Sequence, residues 1–112
     1  MAVDLAEDCY RVTSQFPREV VYGMTSQMRR ASVSIAANIA EGYGRDQIGS
    51  FIQFLLIAQG SARELETHLI VAQRVNLMTN DVMAPIFSRT ESVSKMLRAL
   101  IRSLEARQGR AK

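Results

Sequence analysis

The sequence contains one cysteine, one histidine, two prolines and no charged residue between Gln47 and Ala62, and each scarcity closes off a class of protein. One cysteine makes no internal disulfide, so the fold must stand on its core alone. At an apolar position of the first helix, Cys9 reads as a small buried hydrophobe without chemistry. Two prolines and six glycines argue against extended linkers. The uncharged run is shorter than the ~20 residues a membrane-spanning helix needs. It is also interrupted by Gly49, Ser50, Gln53 and Gln59, so no membrane partner is expected. The start, Met1 to Asp8, is acidic and lacks the basic region and apolar core of a signal peptide, and a cytoplasmic location is the expectation.

What is present is globular in composition: 47% hydrophobic and 22% charged residues in a chain of 112, enough for one domain over 1–112. Four helical patterns follow one another. The first, 3–14, places Leu5, Cys9 and Val12 on one side and stops ahead of Phe16-Pro17. The second, 17–43, starts on Pro17, bends at Gly23 with Thr25 as a local cap, and ends in Gly42-Tyr43-Gly44. The third, 46–76, takes Asp46 as its N-cap and repeats Phe51, Leu55, Ala58, Ala62, Leu65, Leu69 and Ala72 at steps of four and three. The fourth, 80–107, carries Ile86, Thr90, Val93, Leu97, Leu100 and Leu104 at the same spacing. Pro85 either begins or kinks this helix, and a basic tail follows over 108–112. No segment alternates as a strand would. Short breaks between long amphipathic helices predict an all-α, antiparallel up-down-up-down four-helix bundle.

Helix two has an unusual surface. Met24, Met28, Ala31, Ile35 and Ile39 form its core arc, yet the opposite side carries Val33, Ala36, Ala37 and Ala40 in place of charge. Helix three likewise carries Ile52, Leu56, Ile57 and Gly60 off its seam. Small and apolar residues outside a core mark a contact surface, so the chain is expected to form a homo-oligomer through these two rows. Between the arcs of helix two runs a polar stripe of Gln27, Arg30, Ser34, Asn38 and Glu41, continued by Arg45. It reads either as a network locking helices or subunits, the favoured reading because buried polar groups need partners, or as a ligand or RNA site. In Ser61-Ala-Arg-Glu64, Glu64 is the expected partner of Arg29 or Arg30, within or between subunits.

Catalytic arrangements are hard to assemble. A di-iron bundle needs two Glu-x-x-His motifs, whereas the one histidine, His68, has carboxylates two and four residues before it. No zinc-type cluster, phosphate-cradling glycine loop or Ser/His/Asp set is present, and neither cofactor, metal nor small-molecule substrate is expected. The basic face of helix four is the stronger candidate. Lys95, Arg98 and Arg102 stand at i, i+3 and i+7, and Arg107, Arg110 and Lys112 extend the charge. Of fourteen basic residues only Lys95 and Lys112 are lysines, a balance suited to bidentate phosphate contacts. On a lone monomer of net charge +3 such a face reads as merely solvated; repeated around an oligomer it becomes a polyanion surface. Without interleaved aromatics on that face, contacts to the RNA backbone are expected.

Phe16-Pro17 with Glu19 and Tyr22-Gly23, then Thr25 to Ala31, then Ser34 to Gly42 with Arg45, then Phe54-Leu55, Ala58, Gly60-Ser61 and Glu64 to Thr67 form a pattern over nearly the whole chain. In it the chain resembles the four-helix-bundle proteins encoded within intervening sequences of bacterial 23S ribosomal RNA genes. Ala36 stands where such sequences often have Pro, which predicts a straighter helix two, and Asp46 replaces the usual Ser or Thr cap. The resemblance implies a homopentamer without established enzymatic activity. Related proteins serve reverse transcriptases of diversity-generating retroelements as accessory subunits, which brings RNA or a nucleoprotein forward as the partner. Two functions therefore stand side by side: a non-enzymatic nucleic-acid-binding oligomer, and a structural or adaptor oligomer that binds protein only.

Overall fold

The computed structural model describes residues 1–111 and, within them, every side chain except those of Val21, Tyr22, Arg110 and Ala111. Four α-helices account for most of it: α1 (Ala2–Thr13), α2 (Ser26–Tyr43), α3 (Ile48–Arg74) and α4 (Asn80–Ala111), with no strand among the described residues. At ~1.5 Å per residue, the 27 residues of α3 and 32 of α4 set the long axis, and the molecule measures 52 × 22 × 18 Å. α2 packs on α3, α3 on α4, and α1 bridges α2 and α4.

The helix expected over 17–43 is divided. After Pro17, which has no N–H to donate, Arg18–Val20 forms a 3-10 turn and Val21–Thr25 a π turn before regular helix starts at Ser26. Thr25 is not the expected side-chain cap: its backbone is already helical, and its Oγ1 is buried with no hydrogen-bond partner. Asp46 does not cap α3 either. Gln47 holds that position, extended at φ −96° and ψ 134°, without a side-chain bond to the helix.

The other ends are set by local chemistry. At the end of α3, Asn76 takes φ +64°, Leu77 N–H bonds Ala72 O at 2.8 Å and Asn76 N–H bonds Gln73 O at 3.1 Å, a Schellman closure with Asn in the left-handed position. Thr79 Oγ1 then accepts from Val82 N–H at 3.3 Å, capping α4. Pro85 lies inside α4 rather than at its start, exposed, where its missing N–H leaves one carbonyl of the first turn to solvent.

The predicted seam of α3 is buried from Leu55 through Ala72, opposite Met28, Ala31 and Ile35 of α2 and Val93, Leu97 and Leu104 of α4. Three positions shift. Phe51 is only half-buried, Leu100 is half-buried while Ile101 beside it is 6% exposed, and Ile52, placed by the sequence on an outer row, is 6% exposed within the chain. Between Leu97 and Leu104 the core admits the residue either three or four places on, and Ile101 takes the place. No described helix is long and apolar enough to cross a membrane.

Candidate nucleic-acid and subunit interfaces

Burial of Val93, Leu97, Ile101 and Leu104 turns the opposite side of α4 outward. Lys95, Arg98 and Arg102 are exposed there and Arg107 is exposed farther along the helix on another side, and among the described residues none of the four makes an ion pair. The side chain of Arg110 and the whole of Lys112 lie outside the described residues. A helix that buries leucines at steps of seven leaves its charged residues, here Glu91 and Glu105 as well as Lys95, Arg98 and Arg102, to the complementary positions. Free of carboxylate partners, the basic donors can meet phosphate oxygens, bidentately in the case of arginine.

The polar stripe of α2 separates into three unconnected parts. Its centre is a small network: Ser34 Oγ lies 2.8 Å from Ser61 Oγ on α3, and Asn38 Nδ2 donates to Ser34 O at 2.8 Å and to Ser34 Oγ at 3.1 Å. Asn38 and Ser61 are half-buried, so these bonds knit α2 to α3 within the chain. Farther on, Arg45 Nη2 pairs with Glu41 Oε2 at 3.0 Å on an exposed surface, a contact worth little by itself. At the near end Gln27 and Arg30 are exposed, and Ser34 bonds Asn38 and Ser61 instead of Arg30.

Within the chain Arg29 and Glu64 do not meet. Arg29 turns to α1, donating from Nε to Thr13 Oγ1 at 2.8 Å with its guanidinium carbon 4.6 Å from the centre of the Tyr10 ring. Glu64 bonds His68 Nε2 one turn along α3, at 3.3 Å. Arg29 stands one position off the stripe, toward the first helix.

Of the outer apolar rows, Val33, Ala37 and Ala40 on α2 and Leu56, Ile57 and Gly60 on α3 are exposed, with Ala36 half-buried. Ile57 is 51% exposed and a Cβ at Gly60 would meet nothing within 4 Å. Ile52 leaves this set because it fills the core of its own chain.

Two arrangements escaped the sequence altogether. Asp8, with a nearly buried carboxylate, pairs with both Arg11 and Arg89 beside a cavity of about 520 Å³ lined also by Asp4, Glu7 and Ser92. At the α2–α3 turn, Tyr43 stacks obliquely on Phe51 and Arg45 lies over Phe54. The first joins residues far apart in sequence; the second has only Gly42-Tyr43-Gly44 as its local sign, which says no more than turn. Burial pushes the Cys9 thiol up to about 11, against a weaker opposing bond with Ser32. Among the described residues no three His, Cys, Asp or Glu side chains gather as a metal site would require.

Comparison with known proteins places this geometry. No curated protein matches the chain. A solved structure of a protein with unknown function from the S23 ribosomal protein family of Bacteroides thetaiotaomicron VPI-5482 is similar, with a TM-score of 0.75 and 26% sequence identity over 90% of this chain and 98% of that one. The model of the 23S rRNA-intervening sequence protein family matches residues 1–99, which takes in the α2 network, both apolar rows and Lys95 and Arg98 of the basic face. On that match the chain belongs to the 23S rRNA-intervening sequence protein family.

Proposed function

We propose that this protein is a non-enzymatic, cytoplasmic RNA-binding oligomer, whose subunits join through the apolar rows of α2 and α3 and meet RNA phosphates through the arginine-rich face of α4. The observation that carries the reading is the exposed, unpaired set Lys95, Arg98, Arg102 and Arg107 on one helix. Each copy adds a net charge of +3, so assembly multiplies the field around the basic faces. An antiparallel order of neighbouring helices is part of the same reading. It is supported by Ser34 lying at Ser61 and Gly42 at Phe51, and by Glu66 bonding Ser94 while Gly49 lies at Gln108. Exposed Val33, Leu56 and Ile57 support a contact between copies, and a homopentamer is the assembly proposed.

A salt titration of binding to an RNA hairpin tests the reading. Phosphate contacts give a steep negative slope of log affinity against log salt, and the double variant Arg98→Ala/Arg102→Ala should weaken binding and lower the slope by about 1–2. Absence of binding at low salt overturns the RNA reading. Light scattering at micromolar concentration tests assembly, and a folded species of 12.5 kDa overturns it. The protein-binding adaptor reading draws on a second apolar group, Ile70, Val71 and Val75, exposed near the end of α3 and away from the proposed subunit rows.

A further inference from the structure

We propose that the α2–α3 turn is a stacking platform for unpaired bases of single-stranded RNA, with the Tyr43 ring and the Arg45 guanidinium as the surfaces on which bases rest. This proposal depends on the RNA-binding reading and adds to it a place and a strand preference.

Tyr43 ends α2 with 65% of its surface exposed. The ring is nonetheless held: its centroid lies 4.9 Å from that of Phe51, with the planes inclined at 54°. Two residues on, the Arg45 guanidinium carbon lies 4.7 Å from the centre of the Phe54 ring, while Nη2 is fixed by Glu41 Oε2 at 3.0 Å. Both planar groups thus stand on the first turns of α3, through Phe51 and Phe54 at i and i+3. A flat surface fixed before binding loses little freedom when a base settles on it, and every base has a face to offer. Beside Arg45 is a cavity of about 310 Å³ lined also by Gly44, Asp46, Gln47 and Ser50, whose amide, hydroxyl and carboxylate groups can bond base edges, the Asp46 carboxylate only by accepting from base N–H groups.

Charge at this end is mixed. Asp46 is exposed beside Arg45, but α3 contributes no carboxylate before Glu64, and Glu41 is already engaged by Arg45. The far end of α4 arrives here too, since a Cβ at Gly49 would lie 3.2 Å from Gln108 Nε2, and this brings exposed Arg107 to the same end of the bundle. Bases stacked within a duplex have no free face, so the platform selects single strands. Tyr43 also continues the Ala36–Ala40 row by one turn, which sets one platform at the edge of each proposed subunit contact.

The test uses the full chain with two probes, a polyuridine RNA of about twelve nucleotides and an RNA duplex carrying the same number of phosphates. The single strand should bind more tightly. Tyr43→Ala should weaken single-strand binding about tenfold, leave duplex binding and the salt slope unchanged, and keep the oligomer mass, while Tyr43→Phe binds as the parent does. By contrast, Arg98→Ala/Arg102→Ala should weaken both probes. If Tyr43→Ala binds polyuridine like the parent, weakens both probes equally, or dissociates the oligomer, the platform is overturned while the RNA reading stands. Failure of the parent to bind either RNA at low salt overturns both.

Discussion

Asp8 and Arg89, 81 positions apart in the chain, form an ion pair that ties α1 to α4. The carboxylate is the inner partner, with its side chain 6% exposed; Arg89 is 56% exposed, and Arg11, which engages the other carboxylate oxygen, is 62% exposed. α1 is the shortest α-helix described, and its contact with α4 is narrower than that between α2 and α3 or between α3 and α4. The Asp8 clasp therefore supplies direction where apolar area is limited.

Asp8→Ala removes the inner charge and lets both arginines return to water, so no charge is stranded and the cost stays moderate, about 1–2 kcal/mol. Arg89→Ala leaves Arg11 in place and costs less. A double-mutant cycle between positions 8 and 89, followed by urea unfolding, should give a coupling of about 1 kcal/mol. Strict additivity of the two single variants would mean that the pair holds nothing.

Such a pair was illegible in the sequence because nothing local to Asp8 names a partner on the last helix. Periodicity, by contrast, exposes the α3 seam readily, since Leu55 through Ala72 repeat at four-three spacing and all are buried. The same rule misplaced Ile52, because a helix flanked by α2 and α4 buries an arc wider than a single seam. The π turn at Val21–Thr25 carries no periodic signature, being a single widened turn fitted between Pro17 and the regular part of α2. For the candidate site, the basic residues of α4 were readable from spacing alone. The aromatic group at the α2–α3 turn was not, because Tyr43, Phe51 and Phe54 come together only once the chain reverses.

Gly42 and Gly60 should respond oppositely to substitution. A Cβ at Gly42 would lie 2.8 Å from Cδ1 and 3.1 Å from Cε1 of Phe51, so the ring must move and its contact with Tyr43 with it. Overpacking of about 2 kcal/mol outweighs the gain of about 1 kcal/mol from replacing a helical glycine, and Gly42→Ala should lower Tm by roughly 4–8 °C. Gly60→Ala meets nothing within 4 Å in the chain and should raise the stability of an isolated subunit by about 0.5–1 kcal/mol. Gly60→Leu discriminates further: on a surface between copies its bulk should lower the oligomer mass seen by light scattering. Unchanged mass would remove Gly60 from the subunit contact, and an unchanged Tm for Gly42→Ala would show that the Phe51 ring moves without cost.

Cys9 gives a pH dependence whose sign can be worked out. Burial, reinforced by the nearby Asp8 carboxylate and opposed by a hydrogen bond with Ser32, raises the thiol from 9.0 to about 11. The folded chain therefore holds this proton more tightly than the unfolded chain does. Its contribution to stability is complete below pH 9 and is lost as pH rises through 9 toward 11, because only the unfolded thiol ionises readily in that window. Cys9→Ala removes the titrating group, and although the smaller side chain lowers stability at every pH, it should flatten the decline between pH 9 and 11. Urea midpoints for both proteins across that window separate the two effects. Parallel curves would mean that the buried thiol is not linked to unfolding. A steeper fall for the parent, together with slow modification of Cys9 by a thiol reagent below pH 9, would establish that the α1 core opens before the thiol reacts.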